Sequence, residues 1–240
     1  MKWWSKNLII IVLSIIFIGI SVIISPLFHI TEVIVSGNLQ IEAEEIITRA
    51  GLDGSANILL FNQRRAGKSI MENHFVDFVS FQRTLPGSLE ITVQERFLSG
   101  FIEYLEGMFL YIDENGRVIS VRSYMKEDLP IITGLRFSQV HLGQILEVDN
   151  PAAFGTVVTY AQLINRHELS GIISQIDVSD PDNTRLRLHN IKVYLGDTRG
   201  ANEKILTLRE IVNEWPAVSD ARGFLDMREL SREYIFRNLT

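Results

Sequence analysis

The hydrophobic pattern opens on one long apolar run. Between positions 8 and 24 the sequence reads LIIIVLSIIFIGISVII, where only Ser14, Gly19 and Ser21 interrupt fourteen Leu, Ile, Val and Phe residues. As a helix rising about 1.5 Å per residue, the run covers about 26 Å, close to the hydrocarbon thickness of a bilayer. Trp3, Trp4 and Phe28 fall where interfacial aromatics belong. With a few tenths of a kcal/mol from each aliphatic side chain and no opposing charge, insertion is favoured by several kcal/mol. Lys2 and Lys6 precede the run, and no acid occurs before Glu32. The positive-inside rule therefore predicts a cytoplasmic tail at 1–7, a transmembrane helix at 8–27 and an extracytoplasmic remainder. A cleaved signal peptide would share the basic start, but its apolar core is shorter and ends at a small-x-small site, which 23–27 does not offer.

Beyond residue 28 the pattern breaks into short periodic segments. A strand is predicted at 28–35, stopped by the turn residues Ser36-Gly37-Asn38. A helix follows, with Ile41, Ile46, Ile47 and Ala50 near helical spacing, Glu42, Glu44 and Glu45 in its first turns and Gly51 as its C-terminal cap. A second helix, 63–73, turns Ala66, Ile70 and Met71 inward and Arg64, Arg65 and Lys68 outward. Strands at 76–84 and 89–95 meet across Leu85-Pro86-Gly87-Ser88. In the second of them Leu89, Ile91 and Val93 alternate with Glu90, Thr92 and Gln94, as in a sheet with one wet face.

Further strands are predicted at 100–104, 109–112 and 118–121. The last two are joined by Asp113-Glu114-Asn115-Gly116, where Asn-Gly suits the positive φ values of a tight hairpin. A helix at 151–166 carries Phe154, Val157, Val158, Ala161, Leu163 and Ile164. Strands at 172–178, 184–188 and 191–195 come next, then a helix at 202–214 that ends before Trp215-Pro216, then strands at 223–227 and 234–237.

Composition narrows what such a chain does. The net charge is −6, and setting aside Lys2 and Lys6 leaves about −8 on the exported part, which argues against nucleic acid as a partner. Cysteine is absent, so disulfides, thiolate nucleophiles and Cys-based metal centres are excluded.

Four tags in the first exported segment carry a resemblance. They are V-x-V-x-G-N at 33–38, Asn57-Ile58-Leu59 after Gly54, R-x-x-P at 83–86 and I-x-V-x-E-R at 91–96. In this order, and at this distance from one anchor, they resemble the POTRA module of the FtsQ/DivIB bacterial cell division proteins. Leu129-Pro130 through Gly134 resembles the L-P-x-x-x-G segment of that family, and Asp226-Met227-Arg228 its D-[LM]-R signature. Phe97-Leu98, where the family often has proline, and the charged stretch 229–233 depart from the pattern. The resemblance implies an α+β protein: an N-terminal transmembrane helix, a POTRA (βααββ) module at 28–96, then a mixed α/β domain with an antiparallel-rich sheet at 97–240, the FtsQ/DivIB-type β domain. It also implies a non-enzymatic divisome scaffold in the plasma (inner) membrane at the division septum, with FtsB/DivIC-like and FtsL-like proteins as partners and a link to septal wall synthesis. Partner binding would fall on Arg228, facing a partner carboxylate, and on the terminal strand Tyr234, Ile235, Phe236 and Arg237. That strand is short, apolar-aromatic and last in the chain, and an uncovered edge strand can be extended by a partner's strand.

Catalytic frames are not in evidence. His29, His74, His141, His167 and His189 are scattered, with no H-E-x-x-H spacing. Asp177, Ser179, Asp180, Asp182 and Asn183 gather oxygen ligands, but Leu188 stands where a calcium loop needs its bidentate Glu, so a solvated hairpin turn is expected. Neither G-x-S-x-G nor S-x-x-K occurs, and Gly196-Asp197-Thr198-Arg199-Gly200 lacks the Gly-Lys-Ser/Thr of a phosphate loop. No metal, cofactor or small-molecule substrate is expected. A membrane-anchored envelope enzyme (hydrolase) is the alternative class, and it requires a pocket of convergent titratable groups. An outer-membrane insertase is a third, but about 140 residues after the module are too few for the usual barrel. Arg64, Arg65 and Lys68 form a basic cluster able to touch lipid headgroups or an acidic partner, with an ordinary helix face as the default.

Overall fold

A computed structural model describes residues 2–23, 25–52, 54, 56–214, 221–229 and 235–238, with the backbone alone at 2–6, 9, 23 and 235–238. The chain divides into two compact units, Met1–Arg96 and Phe97–Thr240.

The first unit begins with α1 (Lys2–Ile23), a continuous helix of 22 residues. Its described apolar side chains between Leu8 and Val22 are exposed, and none joins a core cluster. Among the described residues, which in α1 omit the side chains of 2–6, 9 and 23, no helix is long and apolar enough to cross a membrane. The Ser25 amide donates to Val22 O, and Ser25 Oγ accepts from the Leu27 amide, opening a 3-10 turn at Pro26–Phe28. β1 (Glu32–Ser36) consequently starts later than the predicted residue 28. The backbone of Phe28 and Ile30 is already engaged, through Ile58 N to Phe28 O and Ile30 N to Ala56 O, both 2.8 Å.

Next come α2 (Ala43–Arg49), α3 (Gln63–Met71), β2 (Val76–Thr84) and β3 (Ser88–Glu95). The sheet order is β1-β3-β2, with β1 parallel and β2 antiparallel to β3. Gly51, at φ +73°, closes α2, and the Leu52 amide returns to Ile47 O at 3.2 Å. Asn62 Oδ1 caps α3 by accepting from the Arg65 amide at 3.0 Å. Ile46, Ile58 and Ile70 pack on Leu89 and Ile91 with no solvent contact. One core group is charged. The buried Glu95 carboxylate accepts from the amides of Leu39 (2.7 Å), Gln40 (2.9 Å) and Ile41 (2.9 Å), tying the loop after β1 to the end of β3.

The second unit is built on a nine-stranded sheet. In chain order its elements are β4 (Leu98–Leu105), β5 (Met108–Asp113), β6 (Val118–Arg122), β7 (Ile131–Thr133), α4 (Pro151–Arg166), β8 (Ile173–Asp177), β9 (Thr184–Leu188), β10 (Ile191–Gly196), α5 (Ala201–Glu214), β11 (Gly223–Asp226) and β12 (Ile235–Asn238). The strand order is β12-β11-β10-β9-β8-β7-β4-β5-β6. Pairing is parallel at β10/β11, β7/β8 and β4/β7 and antiparallel elsewhere, the antiparallel-rich mixture expected. Val157, Tyr160 and Ile164 of α4 and Ile205 and Leu208 of α5 pack on Ile176, Leu186 and Val193 of the strands.

The hairpin between β5 and β6 is looser than its Asn-Gly pair suggests. Gly116 alone takes a positive φ, +75°, while Asp113 Oδ1 accepts from the amides of Asn115 and Arg117, both 2.9 Å. The aspartate organises a longer loop, so the turn does not need Asn115 in the left-handed region. The predicted helix stop at Trp215-Pro216 lies outside the described residues, as does Tyr234 at the predicted start of the last strand.

Candidate functional site

The site grows from the way β10 and β11 end. The Met227 amide donates to Tyr194 O at 2.8 Å and the Met227 side chain is fully buried, so Arg228 emerges at the last anchored point of the core. Its guanidinium forks onto Asp226, with Nε donating to Oδ1 at 2.9 Å and Nη2 to Oδ2. The same group stands 5.9 Å from the Tyr194 ring centroid. Hydrogen bonding and charge from Asp226 raise the affinity of Arg228 for its proton. Arg228 thus already has a carboxylate of its own chain on one side, and among the described residues no acceptor meets Nη1.

β12 pairs with β11 alone among the described strands, setting Ile235 opposite Asp226, Phe236 opposite Leu225 and Arg237 opposite Phe224. An antiparallel strand with one neighbour turns the backbone groups of alternate residues outward, which is the template for strand addition. Arg228 and the backbone of 235–237 therefore share one end of the sheet, and Tyr234 lies outside the described residues.

Two and three strands in from this edge, the sheet surface holds residues that no sequence motif marks. Alternation along β9 and β10 buries Leu186, Leu188, Ile191 and Val193 and leaves Arg185, Arg187, Lys192 and Tyr194 on the opposite face. Arg187 and Lys192 are directly opposite in register. Like charges so placed destabilise a sheet by a few tenths of a kcal/mol or more. Arg185 lies 5.8 Å from the Tyr194 ring, which meets Phe224 edge-on at 6.0 Å. A shallow hollow of about 130 Å³ opens among Gln175, Asp177, Arg185, Arg187, Lys192 and Tyr194. In a chain of net charge −6 this patch gathers three basic side chains and one aromatic ring around a single acid, Asp177.

Behind the face, the end of β10 is fixed from within. The buried Lys204 ammonium donates to Leu195 O at 2.6 Å and Asp197 O at 3.2 Å, and Tyr160 Oη donates to Asp197 O at 3.2 Å. Burial lowers the Lys204 pKa against the pull of Asp197, and burial raises that of Tyr160. The Arg199 amide and guanidinium hold the Asp197 carboxyl below its usual range.

The oxygen-rich stretch from Asp177 to Asn183 forms the turn expected of it. Asp177 Oδ1 accepts from Ser179 N and Oγ, and Asp180 caps the 3-10 turn Pro181–Asn183 between β8 and β9. Among the described residues no group of three His, Cys, Asp or Glu side chains could hold a metal ion.

A βααββ module followed by a mixed sheet whose outermost described strand at one side is β12 places the chain in the class of POTRA-bearing α+β proteins. Residues 28–96 match the family model "POTRA domain, FtsQ-type", and residues 102–228 match "Cell division protein FtsQ/DivIB, C-terminal". The chain belongs to the FtsQ/DivIB family of bacterial cell division proteins. It is 25% identical to "Cell division protein DivIB" of Clostridium tetani over 213 residues, which cover 88% of this chain and 80% of that protein. The same identity holds with its namesake in Clostridium botulinum over 203 residues, 84% of this chain and 79% of the relative. "Cell division protein FtsQ" of Rhizobium meliloti is 31% identical over 108 residues, 45% of this chain and 35% of that protein.

Proposed function

We propose that the chain is a single-pass, non-enzymatic scaffold of the divisome, held in the plasma membrane at the septum with its N-terminus cytoplasmic and its two modules, 28–96 and 97–240, outside. β12 takes on a strand from an FtsB/DivIC-like subunit, and an FtsL-like protein joins the assembly that drives septal wall synthesis. Arg228, Tyr234, Ile235, Phe236 and Arg237 form the contact. The observation that carries this reading is the position of β12 as the outermost strand of the sheet, bonded on one side only among the described strands.

The basic patch on β9 and β10 supports a partner whose carboxylates reach past β12 and β11 over the face of the sheet. Arg228 can donate to one of them from Nη1 without releasing Asp226. Support for the anchor comes from the apolar run at 8–24, which lies in the continuous helix α1 as far as Ile23. A helix apolar on all sides belongs in a core or in lipid, and the described side chains of α1 pack in no core.

Phe236→Lys combined with Arg228→Glu tests the contact by co-purification with the FtsB/DivIC-like subunit, with thermal unfolding followed in parallel. Loss of the subunit from a folded double variant is the expected result. Unchanged co-purification refutes the edge-strand contact.

A further inference from the structure

Resting on the anchor reading of α1, we infer that the anchor-proximal end of the βααββ module lies on the bilayer surface, with exposed leucines in the interfacial zone and arginines at anionic headgroups. The topology gathers these residues. β1 leads away from α1, its first residue Glu32 pairs with Ser88 at the start of β3, and β2 ends at Thr84 opposite Ser88. The start of β1 and the turn between β2 and β3 therefore share one end of the sheet. α3 begins at this end too, because the chain leaving it enters β2 at Val76, opposite Glu95 at the far end.

Hydrogen bonds tie these pieces to the residues just after α1. Ile58 N reaches Phe28 O at 2.8 Å, Thr31 N reaches Gly87 O at 2.9 Å, and Arg83 Nη2 reaches Phe61 O at 2.6 Å. Leu27, Leu60 and Leu85 are 64%, 64% and 58% exposed there, with Leu59 beside them. Leu39, similarly exposed, sits at the opposite end beside Glu95.

Charge at this end runs against the chain as a whole. Arg64, Arg65 and Arg83 are exposed and form no ion pair with a described residue, while Arg49 is paired with Glu45 at 2.7 Å. Glu32 is the exposed acid at the start of β1, and Asp53 lies outside the described residues. Between α2 and α3 a hollow of about 580 Å³ is lined by Arg49, Asn57, Leu60, Asn62, Arg65 and Ser69. Guanidinium, amide and hydroxyl groups beside a leucine suit a phosphate-bearing headgroup and its glycerol. The link keeps the surfaces close. Leu27 lies four residue steps after Ile23, at most about 14 Å when extended, and the 3-10 turn shortens the link. Leucines in the interface with arginines around them are the usual composition of a membrane-resting face.

The absence of cysteine makes single-site labelling clean. The full chain, carrying bimane on Ile15→Cys, Leu60→Cys or Leu39→Cys, is reconstituted in vesicles of equal phosphatidylglycerol and phosphatidylcholine containing brominated lipids. Expected are deep quenching at position 15, shallow quenching at 60 at least about threefold above that at 39, and loss of this excess in Arg64→Glu with Arg65→Glu. Quenching at 15 with equal, weak signals at 60 and 39 overturns the inference and leaves the anchor reading standing. No quenching at 15 overturns the anchor reading and the inference with it. Strong quenching at both 60 and 39 refutes the end-on arrangement, and an excess that survives the double charge reversal refutes the role of the arginines.

Discussion

Glu95→Ala removes the one carboxylate that holds the loop after β1 onto β3. Glu95 is 4% exposed and accepts from three consecutive amides at 2.7 to 2.9 Å. With alanine in its place, the buried Ile41 amide loses its acceptor, at a cost of about 1–3 kcal/mol. The half-exposed amides of Leu39 and Gln40 rehydrate in part, and a charge-assisted bond is worth about 1.5–3 kcal/mol at the outset. The sum is about 3–5 kcal/mol. A module of this size has roughly 3–10 kcal/mol of stability in all, so the variant brings the first unit close to unfolding. Glu95→Gln keeps one oxygen in place and loses the charge, for about 1–2 kcal/mol. Native-state hydrogen exchange at the Leu89, Ile91 and Val93 amides reads the first unit directly. Exchange in Glu95→Ala should quicken by two orders of magnitude or more, with Glu95→Gln in between and the α4 amides unchanged. Protection within a factor of two of the parent refutes the structural role of this carboxylate.

Three other outcomes follow from the geometry. Burial raises Tyr160 above its ordinary 10.0, so the folded state keeps the phenolic proton longer than the unfolded chain; stability is full below about pH 10 and falls as pH rises further, a slope that Tyr160→Phe reduces in alkaline urea titrations, leaving the part due to the similarly raised Tyr111. Gly37, at φ +80° and against the Val93 carbonyl, does not admit a side chain, and Gly37→Ala should cost about 2–3 kcal/mol in chemical denaturation of the first unit. Arg187→Glu with Lys192→Glu relieves one like-charge pair and creates another of opposite sign; the domain stays folded while association with an acidic partner slows about tenfold at low salt and loses its salt dependence, as read by stopped-flow.

Local pattern carried much of the fold. The strand at 76–84, the helix at 151–166 and the strand at 184–188 have the bounds their periodicity predicts, because each is closed by strong local signals: a Pro-Gly turn, an Asn150 cap before Pro151, an Asp-Pro turn. What periodicity does not encode is long-range order. Nothing local says that β7 pairs with β4 on one side and β8 on the other, or that β1 lies parallel to β3. Glu95 was legible in principle, since alternation from Leu89, Ile91 and Val93 puts position 95 on the buried face; its charge argues for the surface until the three amides are seen. Arg185, Arg187 and Lys192 were equally visible in T-R-L-R-L and I-K-V-Y-L, but as one patch only once β9 and β10 are in register. Lys204 defied its residue type, because its carbonyl partners come from the end of β10 and the turn beyond it, which no helical pattern shows.

The proposed strand addition at β12 is tested most directly by hydrogen exchange at the amides of 235–238, measured on the full chain with and without the FtsB/DivIC-like subunit. Protection of alternate amides by at least tenfold in the complex, with Gly223–Asp226 unaffected, is the result expected if a partner strand closes this edge. Identical exchange at 235–238 in the two states, with the complex formed, contradicts it.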